Sequence, residues 1–113
     1  MNISRTKVKS ASVLTLSGRL DLDAAPKLRQ ELRDLAAESP RVVVDLDGVS
    51  FLDSSGIGAL ISGLKATRER GGDLRLARVS AQAQYVLKLA TLDRILSMHP
   101  TVEDAVEALS PAV

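Results

Sequence analysis

The chain has 113 residues, 45% of them hydrophobic and 26% charged, with a formal net charge of +1. That length supports one core and not two, and the interspersed charges lack the concentrated Lys and Arg that a phosphate backbone rewards. Cysteine is absent and only Phe51 and Tyr85 are aromatic, which excludes disulfides, thiolate metal sites and base-stacking single-strand binders. The longest apolar stretch, around Ile57 to Leu64, is far too short to span a bilayer. Residues 1–7 carry no apolar core behind their charges, as a signal peptide would. A cytoplasmic protein is expected, without membrane insertion and without direct nucleic-acid binding.

In chain order, a weak strand is expected around residues 3–8 and a clearer one over 13–17, closing on Gly18. Residues 23–38 read as a helix, with Asp23 as its cap and Pro26 in its first turn. Its stripe is Leu28, Leu32, Leu35 and Ala36, and Pro40 ends it. Residues 41–47 form the strongest strand. Val42, Val44 and Leu46 point one way, while Val43, Asp45 and Asp47 point the other. A parallel strand covered on both faces would be apolar throughout, so one face of the sheet is expected to be less covered.

A second helix is expected from Ser54 to Arg70, burying Ile57, Leu60, Ile61 and Leu64 and stopping at Gly71 and Gly72. The basic run over 65–75, broken by Glu69 and Asp73, reads as a solvated helix end whose cations face the negative pole of the dipole. Leu74 and Leu76 mark a strand. Ser80 caps a third helix with Ala83, Val86, Leu87 and Ala90 inward. Ile95 and Leu96 suggest a last short strand. Thr101 then caps a helix burying Val102, Ala105, Val106 and Leu109. The order is β-β-α-β-α-β-α-β-α, with no repeat or linker: one α/β domain over residues 1–113.

The stretch Phe51-Leu-Asp-Ser-Ser-Gly-Ile-Gly-Ala-Leu60 is the unusual one. Asp53 or Ser54 can cap the unpaired N–H groups of the helix, which accounts for one of them. Gly56 and Gly58, though, fall in the first turns, where glycine costs on the order of 1 kcal/mol relative to alanine. Either this turn packs tightly on a neighbouring strand, or another molecule approaches its backbone. Phosphate binding lacks the P-loop lysine and the three-glycine fingerprint. Nucleophilic catalysis by Ser54 or Ser55 needs a base, and the sole histidine, His99, lies far along the chain. No catalytic residue, metal site or cofactor is therefore expected; a weak nucleotide site at the glycine-rich turn stays open. In the third reading the hydroxyl is itself a substrate. A phosphate there is stabilised by the N–H groups and dipole of the helix while changing the charge of the surface.

At this point the residues resemble a known family. Asp53-Ser-Ser-Gly-Ile-Gly-Ala-Leu60, following Val42-Val-Val-Asp-Leu46, resembles the signature of STAS domains, and specifically of the stand-alone bacterial anti-sigma-factor antagonists. Ser17-Gly-Arg-Leu-Asp21, Gly71-Gly-Asp-Leu74 and Ala90-Thr-Leu-Asp-Arg-Ile95 agree with it. The resemblance implies a single STAS-like domain with a core over about 2–109, a small mixed β-sheet packed with about four helices.

It also implies partner switching. The unphosphorylated antagonist binds an anti-sigma factor with serine kinase activity and frees the sigma factor; phosphorylation ends the interaction and a phosphatase restores it. By this resemblance Ser54 is the phosphorylated residue and Ser55, the second choice, supplies a structural hydroxyl. Asp21 matches the aspartate of the family's Gly-Glu-Leu-Asp segment near the partner surface, and Asp53 the aspartate flanking the phosphosite. Arg19 departs from that segment, where an acidic residue is common, and makes the surface less acidic. The expected partner-binding set is Asp21, Asp23, Asp53, Ser54, Ser55, Gly56 and Gly58. A monomer is the simpler expectation, with the exposed sheet edge near the N-terminal strand able to pair with a second copy. The alternative is an accessory STAS subunit of a stress-signalling scaffold or of a membrane lipid transporter.

Overall fold

The alternation over residues 42–47 becomes a strand whose two faces meet different neighbours. The computed structural model describes residues 1–109. It contains β1 (Asn2–Val8), β2 (Ala11–Leu20), α1 (Ala25–Glu38), β3 (Arg41–Leu52), α2 (Ser54–Glu69), β4 (Asp73–Ala77), α3 (Ala81–Leu89), β5 (Met98–His99) and α4 (Val102–Leu109), with a single 3-10 turn at Leu92–Arg94. The five strands form one sheet in the order β1-β2-β3-β4-β5; β1 runs antiparallel to β2 and the other pairs are parallel. Element order, single domain and mixed sheet are as the sequence led us to expect.

Val42, Val44 and Leu46 join Leu28, Leu32 and Leu35 of α1 and Ile57, Leu60 and Leu64 of α2 in the main core, which Ala83 and Leu87 of α3 extend. On the other face Val13, Val43 and Ala77 cluster with Ala11 and with Ala105, Val106 and Leu109 of α4. The uneven cover is therefore real. Asp45 lies on that thinner face, 3% exposed. Arg78 compensates the buried carboxylate by donating from Nε to Oδ1 at 3.0 Å and from Nη2 to Oδ2 at 2.6 Å. This bidentate pairing raises the Arg78 pKa above its ordinary value.

Five local expectations are corrected. β2 does not close on Gly18 but passes through it, at φ +106°, to Leu20. β3 likewise continues past Asp47 to Leu52, its pairing with β2 interrupted twice by extra residues on β3. Asp23 does not cap α1: the N-cap is Ala24, without a side-chain bond, and Asp21 instead accepts from the N–H groups of Asp23 and Ala24 at 3.1 and 3.2 Å. Finally, Ile95 and Leu96 are not a strand. Ile95 and Leu96 both donate to the Leu92 carbonyl, so the chain is still turning there. Contact with β4 begins only when Leu76 donates to Ser97 O, so the strand falls on Met98 and His99. Ala90, expected inward, is exposed at the end of α3.

Candidate functional site at the start of the second helix

The parallel strands β2 and β3 end side by side, Leu20 opposite Leu52 and Arg19 opposite Phe51. The N–H of Asp53 donates to Leu20 O at 3.4 Å, which ties the start of α2 to the end of β2. Asp53 is the N-cap: its Oδ1 accepts from the N–H of Ser55 at 2.9 Å and of Gly56 at 3.1 Å. Of the two candidate caps, then, the aspartate does the work and Ser54 is released from it. Asp53→Ala should cost about 1 kcal/mol, lowering the thermal midpoint by roughly 5 °C. Differential scanning calorimetry of the purified variant checks this.

Ser54 is exposed and Ser55 half-buried. Neither hydroxyl bonds to another described residue. The Ser54 hydroxyl is thus presented to solvent at the first position of the helix, where the helix dipole favours an added anion. Ser55 contributes its backbone N–H to the cap, and the structural role expected of its hydroxyl has no hydrogen-bond partner here. His99 sits on the edge strand β5 with Nε2 at 3.4 Å from Arg75 Nη1, not beside either serine. Burial, and then the Arg75 cation, hold its imidazole below the usual histidine pKa.

Gly56 is buried, and a Cβ built on it would lie 2.5 Å from Leu20 O, 2.6 Å from Leu20 Cγ and 3.0 Å from Leu52 Cδ1. Its backbone is therefore occupied by its own chain, and in the expected partner-binding set it serves beneath the surface, holding α2 onto β2. Gly58, two residues on, faces α1, with Arg29 Nη2 at 2.9 Å from the corresponding position. Of the two explanations for the glycines, tight internal packing accounts for Gly56.

The loop after β2 completes the surface. Asp21 is half-buried and Asp23 exposed, and both line an open depression of about 380 Å³ with Met1, Arg19, Ala24 and Lys27. Arg19 approaches Asp21 Oδ2 at 3.5 Å and stacks on the Phe51 ring, 4.1 Å from its centroid. The basic substitution noted in the sequence thus offsets the carboxylate next to it. Three features were missed in the sequence reading: the Arg19–Phe51 stack, the approach of Arg29, and Leu22, which is 71% exposed between Asp21 and Asp23. An isolated apolar residue between two acids in a connection was the available signal for Leu22. Nothing local announces the other two. Among the described residues no group of three potential metal ligands occurs, and no helix is long and apolar enough to cross a membrane.

A family model for the STAS domain matches residues 2–105. The anti-sigma-B factor antagonist of Bacillus subtilis is 28% identical over 94 residues, 83% of this chain and 86% of its own. A solved anti-sigma factor antagonist from Mycobacterium paratuberculosis is 28% identical, covering 96% of this chain and 92% of its own, at a TM-score of 0.81. The Bacillus protein SpoIIAA, solved in two forms, shares the fold. Its unphosphorylated form, an anti-sigma factor antagonist, is 21% identical with 99% of each chain covered and a TM-score of 0.81. Its phosphorylated form is 20% identical, covering 96% of this chain and 100% of its own, at 0.73.

Proposed function

The chain belongs to the STAS domain family, and from that premise we propose that it is a non-enzymatic anti-sigma-factor antagonist that works by partner switching. Unphosphorylated, it binds an anti-sigma factor carrying serine kinase activity and frees the sigma factor; phosphorylation of Ser54 ends the interaction and a phosphatase restores it. The observation that carries the reading is the Ser54 hydroxyl: exposed, released from capping by Asp53, and bonded to no described residue. That geometry favours a kinase substrate over a structural cap. The existence of SpoIIAA in phosphorylated and unphosphorylated forms supports the same reading. The partner surface is the loop of Asp21, Leu22 and Asp23 together with Asp53, Ser54 and Ser55, while Gly56 and Gly58 shape it from below. The protein acts in the cytoplasm as a monomer, and the edge strand β1 carries Arg5 and Lys7, charges that discourage edge-to-edge pairing.

The test is phosphopeptide mapping by mass spectrometry after incubation with ATP and extract of the host cell, with Ser54→Ala alongside. One phosphate on Ser54, absent from Ser54→Ala, is the expected result. No phosphate, while a known substrate is labelled in the same extract, overturns the proposal.

A further inference from the structure

Arg29 is a half-buried residue of α1, and its guanidinium has no ion-pair or hydrogen-bond partner among the described residues. Its position is nevertheless specific. Nη2 lies 2.9 Å from the point a Gly58 Cβ would occupy, so the missing side chain of Gly58 is what lets the cation rest on α2. Ser54 and Gly58 are separated by one helical turn and share a face of α2, with Cβ positions roughly 5–6 Å apart. Side chains on a helix lean toward its N-terminus, so the space above Gly58 is the space beside Ser54. α1 and α2 run in parallel, since Arg29 meets Gly58 and Leu32 meets Gly63. Arg33, a turn later on α1, is therefore directed away from Ser54.

Resting on the proposed function, we infer that Arg29 is the internal counter-cation for a phosphate on Ser54. The planar guanidinium presents several N–H donors suited to bidentate phosphate binding, and rotation of its torsions carries it from Gly58 toward Ser54. In the unmodified chain the cation waits unpaired. After phosphorylation it joins α1 to the start of α2 and partly neutralises the new charge. Asp53 and Asp21 beside the helix start, exposed Asp23, and the cations Arg19 and Lys27 of the same end also act on that phosphate. Comparison between variants that keep all five isolates the contribution of Arg29.

The experiment needs no kinase: phosphoserine is installed at position 54 by genetic encoding, and the phosphate is titrated by phosphorus NMR. A phosphoserine ordinarily takes its second charge near pH 6. A cation within about 4–6 Å favours the dianion and lowers that value. With Arg29 present the midpoint should lie at least ~0.5 pH unit below that of Arg29→Gln. Arg33→Gln should match the parent, and Arg29→Lys should recover part of the shift. An unchanged titration in Arg29→Gln overturns the inference, as does an equal effect of Arg33→Gln. If Arg29→Gln does not fold, Arg29→Met, which keeps the length of the side chain without its charge, must raise the midpoint instead. Because the phosphate is placed synthetically, failure here leaves kinase recognition of Ser54 untouched, and failure of the extract experiment leaves this titration interpretable.

Discussion

Gly56→Ala should lower the thermal midpoint by roughly 10 °C or more, while Gly58→Ala leaves it unchanged or raises it. On helix propensity alone both substitutions gain on the order of 1 kcal/mol. What separates them is the neighbour each new methyl group meets. At Gly56 it would sit 2.5 Å from a carbonyl oxygen of β2 and 2.6 Å from Leu20 Cγ, with Leu52 Cδ1 at 3.0 Å behind. Leu20 O is strand backbone at the end of β2, paired beside β3 and already accepting from the N–H of Asp53, so it cannot withdraw and α2 must lift off β2. Overpacking of this kind costs typically about 1–3 kcal/mol and occasionally more. A backbone clash belongs at the upper end, and the loss exceeds the propensity gain by about 2 kcal/mol. At a few degrees per kcal/mol this gives the stated shift. At Gly58 the obstacle is the tip of the Arg29 side chain, which can swing aside at little cost. Thermal melts of the two purified variants decide the matter, and equal stabilities would mean that the close approach of α2 to β2 is wrong.

Ser54→Asp is expected to bind the anti-sigma factor about 100-fold more weakly than the unmodified protein, whereas Ser54→Ala binds as tightly. The helix can host the added charge, since its dipole favours an anion in the first turn. The effect therefore falls on the complex and not on the fold. A carboxylate pressed against a fitted surface that offers no matching cation loses hydration without gaining a partner. If this costs roughly 3 kcal/mol, affinity falls by two orders of magnitude. Phosphate carries about −1.5 to −2 charges against −1 for aspartate, so the proposed modification should act more strongly. Titration calorimetry against the anti-sigma factor, with circular dichroism to show that both variants keep their fold, measures this directly. Equal affinity of Ser54→Asp and Ser54→Ala would refute the electrostatic switch.

Much of the site was legible because its signals are local. An aspartate before a helix, two serines after it and two glycines in the first turns are readable in eight residues. The cap could be narrowed only to Asp53 or Ser54, because both side chains are chemically able to accept the same N–H groups. Geometry chose Asp53, and that choice leaves the Ser54 hydroxyl exposed. The misplacement of the α1 cap has the same origin. Asp21 and Asp23 are equally good acceptors in sequence, and the course of the chain leaving β2 makes Asp21 the one that turns back onto it.

The sequence by itself determined the order of elements, the apolar stripes of the helices apart from Ala90, the uneven cover of the sheet and the location of the serine motif. Each of these follows from periodicity and short-range hydrogen bonding, which depend on neighbours a few positions away. Only the tertiary structure decided how far β2 and β3 run, that the last strand begins at Met98, that Gly56 is filled by Leu20, and that Arg29 lies over Gly58. Those outcomes depend on register and contact between segments distant in sequence. A strand continues for as long as a partner supplies its hydrogen bonds, and a glycine is required where another backbone arrives. Neither condition is encoded in the residues of one segment alone.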